Sequence, residues 1–547
     1  MTTTIMSSHV RTPGPKVGLV VMTITFFITA FLLVAAFFAV PSNIPISNPN
    51  PDAAALSAAF APLLADANDH LLVWVGNGTA PGKHSASNPG QLAWMDGTGL
   101  AEPLMDVPPQ TSRVQACGDA SISPDGQQYA FYVGLDAGSL YIMHGSDQPI
   151  KLDDVNALTC VGSGTFQFSP NSSRIGYIAY EADAAGSEFP DGFLKVRNVA
   201  DQSEAFRYEN VTAFDLTDDG AAFVSFFTND KNEADEAAVM WWDGSSQQEV
   251  ATLKPASEDC KFTSASVAIL PDGKLLLVMG HRCKKGDTST NWQLYAVNPT
   301  ERSATLAASA SQPGAFAAFA RTNVIFVSPA GDRAYFMVPD GIESNTAGLK
   351  AVNLGDLSLT DVVDKQLVAA TYSGGANAFP RLSPDGKWLA AVMTSPNNEN
   401  TLQIWNLADS NVAPISLSAG SRGDTVSSMA FTPDGSKLMA VIGGDNTANN
   451  SLIAVELATG RDLRVARGHF GPGLTISPDG NGIALLDWQI PEDTKEPPYA
   501  NLITVEAASG ATTTLFAGAD IQDGKVVNQR FALPMLWLKS GAAATSG

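Results

Sequence analysis

One four-residue string constrains this chain more than any other feature. Ser383-Pro384-Asp385-Gly386 recurs as Ser123-Pro124-Asp125-Gly126, Thr432-Pro433-Asp434-Gly435 and Ser477-Pro478-Asp479-Gly480. Looser copies stand at Leu270-Pro271-Asp272-Gly273, Ser328-Pro329-Ala330-Gly331, Ser169-Pro170-Asn171-Ser172 and Thr217-Asp218-Asp219-Gly220. Proline presets φ at the first central position of a type I turn, Asp is tolerated at the second, and Gly takes the permissive last position. Apolar runs flank each turn, as Val267-Ala268-Ile269 and Leu275-Leu276-Leu277-Val278-Met279 do around Pro271. Apolar run, tight turn, apolar run predicts a β-hairpin.

The turns recur at intervals of 45 to 58 residues, room for roughly four strands, which is the length of a β-propeller blade. With these residues in view, the repeats resemble the WD40-like (PD40-type) repeats of the Tol-system periplasmic propeller protein and its relatives. The resemblance spans residues 68–540. It implies a fold more than an activity, since the same repeat serves binding proteins and peptidase gating domains. Gln403-Ile404-Trp405-Asn406 is close to the ending of true WD repeats but lacks the Asp, so the WD40-like class fits better. Some relatives carry a serine hydrolase domain; here the repeats occupy the chain and no G-x-S-x-G elbow occurs.

The expected fold is therefore all-β: a single β-propeller of about eight four-stranded blades, seven to nine being allowed, preceded by one N-terminal transmembrane helix. Residues 70–75 and 91–95 read as strands with no turn motif before them, and 529–538 as an opening strand with no partners after it. Pairing the two ends in one composite blade removes an exposed sheet edge. Eight motifs plus that blade make nine, so one weak motif, at Thr217 or Ser328, is expected not to found a blade. Trp241, Trp242, Trp292 and Trp405 fall in third strands and are expected to pack between blades.

Residues 17–40 contain no charged side chain. As a helix they are long enough to cross a bilayer. A cleaved signal peptide is the rival reading, but its apolar core is normally shorter and ends in small residues, where this chain has Phe37 and Phe38. Arg11 and Lys16 precede the run and the next basic residue is Lys83, which places the N-terminus in the cytoplasm and the rest outside. The reading is a cytoplasmic tail at 1–16, a signal-anchor helix at 17–40, a Pro/Asn/Ala-rich linker at 41–67, an extracytoplasmic (periplasmic or extracellular) propeller at 68–540 and a tail at 541–547. The full chain carries a formal charge of −23, and such a surface is a poor partner for nucleic acid.

Catalytic signals are sparse. The six histidines are scattered singly, and no calcium loop, phosphate loop or dinucleotide fingerprint occurs. No cofactor, metal ligand or catalytic residue is assigned. The four cysteines lack the close C-x-x-C pairing of a tetrahedral metal site. Cys260 and Cys283 lie nearly opposite across the hairpin centred on Asp272 and are candidates for a disulfide; Cys117 and Cys160 are a weaker pair. The connections between second and third strands are long and rich in Asp, Glu and Asn. Function concentrates on long loops of rigid scaffolds, so this face is the candidate binding surface, with Asp230, Glu233, Asp235, Glu236, Glu492 and Asp493 as its acidic members. The favoured reading is a membrane-anchored scaffold, more a binding protein than an enzyme, that presents one propeller face to a protein, peptide or glycan. The alternatives are a propeller enzyme of lactonase or glycan-lyase type with a central-channel site, and an accessory subunit of a membrane complex.

Overall fold

In the computed structural model the closest copies of the turn are closed by one set of hydrogen bonds. The Ser383 hydroxyl donates to Asp385 Oδ1 at 2.6 Å and accepts from the Trp388 backbone N–H at 2.9 Å. The Gly386 N–H donates to the Ser383 carbonyl at 2.8 Å, and Gly386 sits at φ 70°, a conformation that costs an L-residue about 1 kcal/mol or more. The same side-chain bonds recur at Ser123, Thr432 and Ser477. All four of these hydroxyl residues are buried. The aspartate therefore does more than tolerate its position: it accepts from a hydroxyl that water does not reach.

The described residues run from 69 to 539, apart from short stretches in the connections, the longest being 79–89, 181–191, 314–324 and 369–380. All belong to the compact unit Asn50–Gly547. The anchor segment expected at 17–40, the linker at 41–67 and the tail at 541–547 lie outside them. Among the described residues no helix is long and apolar enough to cross a membrane.

The strands fold into antiparallel meanders of four. The fourth meander comprises Val211–Leu216, Ala221–Thr228, Ala234–Trp242 and Gln247–Leu253; the fifth comprises Lys261–Ile269, Leu275–Arg282, Ser289–Asn298 and Ser303–Pro313. Second strands are covered on both faces, as the buried run through Phe226 in Ala221–Thr228 shows. Fourth strands are polar: Arg461–Gly468 exposes Arg461, Asp462, Leu463 and Arg464, and charge on an outer edge discourages pairing with another sheet.

The blade count differs from the expected eight. The described strands form seven hydrogen-bonded sheets, so by hydrogen bonding the propeller has seven blades. Two of those sheets have eight strands, and each is two meanders fused by a narrow bridge. Ala234 pairs with Phe262 in one; Leu367 pairs with Met393, and Val368 with Val392, in the other. The motifs at Thr217 and Ser328 both join a first strand to a second, so neither is idle, and the repeat itself occurs nine times. The anticipated loss of a motif is replaced by pairing between neighbours.

The ring closes through both ends of the described chain. Within the strand Lys525–Lys539, residues Arg530 to Lys539 pair with Asp69–Asn77 and so supply the first strand of the composite sheet. A buried cluster there gathers Leu92 and Trp94 of the composite sheet, Phe131 of the next meander and Leu502 of the last. Similar clusters join every other neighbouring pair, among them Tyr132 with Phe166, Leu194 with Phe214, and Leu294 with Phe336. Trp242, Trp292 and Trp405 are buried in such clusters, and Trp241 packs against another. Asp215 ties three meanders together: it accepts from Gln167 Nε2 at 2.7 Å, from the Ile269 N–H at 2.7 Å and from the Leu216 N–H at 2.9 Å. Burial raises its carboxyl pKa, against the pull of those three donors.

Candidate functional site

A four-strand meander puts its first and third turns on one rim and its middle connection on the other. The rim of first and third turns is regular. Backbone bonds run from the residue after a third strand to the start of the second, as in Val199 to Ser173, Leu407 to Lys387 and Leu457 to Ser436. Acidic groups there serve the turns. The backbone N–H groups of Ser246 and Ser245 hold the Asp243 carboxyl far below the usual carboxylate range, and the Thr432 hydroxyl and Ser436 N–H do the same, less strongly, for Asp434.

On the opposite rim, the described residues include the place where the fourth and fifth meanders fuse. The row Ala234, Phe262, His281, Asn291 and Ser311 crosses the eight-stranded sheet there. Glu233 directly precedes the strand Ala234–Trp242, and Asp235 and Glu236 lie at its start. Lys261 Nζ stands 3.7 Å from Asp235 Oδ2, and Lys254 Nζ stands 3.7 Å from Glu236 Oε2. Phe227, directly opposite Glu236 in register, is 44% exposed. The structure thus gathers three of the candidate acidic residues at this junction. Asp230, Glu492 and Asp493 lie outside the described residues.

A disulfide joins Cys260 and Cys283, with their Cα atoms 3.6 Å apart. Its geometry follows from a β-bulge. From Ile269 to Ser264 the first strand pairs in one register with the second; between Ser264 and Phe262 the register shifts by a residue. That shift aligns Phe262 with His281 and Lys261 with Arg282, and the next step places Cys260 opposite Cys283. A Cβ on Gly280 would come within 2.3 Å of Ser264 Oγ, so a larger residue there would have to turn the Ser264 hydroxyl aside. Cys117 and Cys160 lie outside the described residues.

His281 belongs to the strand Leu275–Arg282 and is 2% exposed. Side chains two apart on a strand share a face, so His281 and Cys283 lie on one side, across from Phe262 and Cys260. An imidazole nitrogen and the two sulfurs lie within 4.8 Å of one another. His281 Nδ1 is buried with no hydrogen-bond partner, and burial lowers the pKa of the ring. The expectation of no metal ligands looked for Cys pairs close in sequence and so passed over this group. The signal was present in the two-residue offset of His281 from Cys283.

No protein-family model and no curated protein matches the chain. Among solved structures, it is similar to dipeptidyl peptidase 4 of Porphyromonas gingivalis, at 11% identity and TM-score 0.44, covering 73% of this chain and 60% of that one. The chain thus spans well under two thirds of that peptidase. The β-propeller domain of the Trilobed protease from Pyrococcus furiosus matches at 10% identity and TM-score 0.36, covering 65% of this chain and 98% of that one. TolB from Acinetobacter baumannii matches at 13% identity and TM-score 0.25, covering 66% and 82%. The protein is a β-propeller, and the three structures above are what it is similar to. That assignment rests on strand order and ring closure, since likeness at these scores carries no functional argument.

Proposed function

We propose that the protein is a membrane-tethered, extracytoplasmic binding scaffold whose working surface is the rim of middle connections at the junction of the fourth and fifth meanders. The observation that carries this reading is Phe227, an exposed aromatic side chain fixed at a strand end. Asp235, Glu236, Lys254 and Lys261 stand on the neighbouring strands. Aromatic anchors surrounded by charged side chains are the usual pattern of protein-binding hot spots. The partner is a protein segment that offers an apolar side chain to Phe227 and basic groups to the acidic residues. The disulfide supports placement in an oxidising compartment, and the charge-free run at 17–40 supplies the tether.

Affinity capture of the full-length chain from mild detergent tests this reading. The comparison is with Phe227→Ala and with a variant neutralised at Glu233, Asp235 and Glu236. A partner retained by the native chain and lost by both variants supports the rim as a docking surface. Identical captured sets from all three forms refute it.

A further inference from the structure

We infer that Cys260, Cys283 and His281 form a thiol-gated zinc site: closed while the disulfide is intact, and able to hold one Zn²⁺ once it is reduced. Two thiolates and an imidazole are the donor set Zn²⁺ favours among common divalent ions. Their donor atoms already lie within 4.8 Å of one another, so little rearrangement separates the bridged from the liganding arrangement. The cysteines directly flank the paired ends of two adjacent strands, next to Lys261 and Arg282, and the histidine lies two residues before Cys283. This is a ligand set assembled by the sheet rather than by a loop.

The buried histidine is the independent observation. A polar ring 2% exposed is normally hydrogen-bonded at both nitrogens, and Nδ1 of His281 is not. An unpaired buried acceptor or donor is destabilising, and a metal bond to that nitrogen would remove the cost. Three protein ligands leave one tetrahedral position for a fourth donor. Ser257 Oγ already stands 3.1 Å from Cys260 Sγ, and solvent or that hydroxyl completes the shell.

The chemistry balances with a dithiol as reductant. Its two thiols pass two electrons and two protons to the bridge; the Cys260–Cys283 bond breaks, two thiols form, and the reductant leaves as its own disulfide. Zn²⁺ then displaces one proton from each thiol, so binding releases two protons and is favoured by rising pH. The inference is independent of the partner-binding reading, because it uses different side chains and a different readout.

The experiment uses the full-length chain reduced with dithiothreitol, freed of excess reductant and titrated with Zn²⁺ alone. Accessible thiols are then alkylated and mapped by mass spectrometry. Expected is protection of Cys260 and Cys283 together at one Zn²⁺ per chain, none on the oxidised chain, and an affinity at least about tenfold lower in His281→Gln, no less than the loss of an outer-shell group costs. Failure of Zn²⁺ to protect the pair overturns the proposal, as does equal affinity in folded His281→Gln, which would make the histidine a bystander. Should that variant unfold, the Co²⁺-loaded native chain decides. A paramagnetically shifted imidazole resonance supports ligation by His281, and its absence refutes it.

Discussion

On the regular rim Asp385, Asp434 and Asp479 accept from a hydroxyl two residues back, whereas on the opposite rim Asp235 and Glu236 face lysines of other strands at 3.7 Å. One rim uses its acidic groups locally, in the same pattern at four turns. Among the described residues of the other, Asp235 and Glu236 instead stand near lysines distant in sequence. A closed ring needs every blade to start at the same angle, and repeated turn chemistry supplies that. Nothing in ring closure constrains the far end of the strands, so that is where one blade is free to differ from the next.

The comparison is broken most severely at Asp215. Asp215→Ala removes an acceptor from Gln167, Leu216 and Ile269 in three meanders, at an expected cost of about 3–5 kcal/mol read from chemical denaturation. Exchanging both Cys260 and Cys283 for Ala opens a crosslink spanning 23 residues, and loop entropy predicts a loss of about 3 kcal/mol in the same measurement. Ser383→Ala leaves the partly buried Trp388 N–H without its acceptor and is expected to cost about 1–2 kcal/mol. Ser383→Thr, which reproduces the turn at Thr432, is expected to be close to neutral.

Acid should separate the two rims. The His281 pKa lies below its ordinary 6.5, so the unfolded chain takes up that proton first. Stability should therefore fall as pH drops below 6.5, and His281→Gln should flatten that portion of the profile. The turn carboxyls of Asp243 and Asp434 lie below their ordinary 3.8. Their contribution is present above that pH and is lost as pH falls through the folded values. Two separate slopes in a pH series of denaturation midpoints would sharpen the distinction. The smallest effect is expected from Asp235→Asn with Glu236→Gln. Exposed ion pairs contribute about 0–1 kcal/mol, so stability should barely move while partner capture falls.

The sequence made the regular rim easy to read because local chemistry determines it. Proline, aspartate and glycine at fixed offsets each demand a particular backbone conformation, and spacing did the rest. Third strands and the composite closure were legible for the same reason. Blade number was not, because fusion of neighbours depends on single pairs such as Ala234 with Phe262, which leave no mark in composition. The disulfide candidates were visible from their distances to the turn. His281 was missed because its partners become neighbours only when two strands align in a bulged register. No residue pattern around Asp215 announces that its carboxylate reaches Ile269, 54 positions away.

The extra residue at Thr263 has a further consequence. Without the bulge the two strands pair straight through, and Cys260 falls one position out of line with Cys283. Only the bulged alignment brings the sulfurs face to face, so oxidation can seal just one of the two ways the hairpin can zip. The covalent bond then acts as proofreading for strand alignment: it fixes the correct pairing after the fact and leaves a misaligned hairpin open to try again.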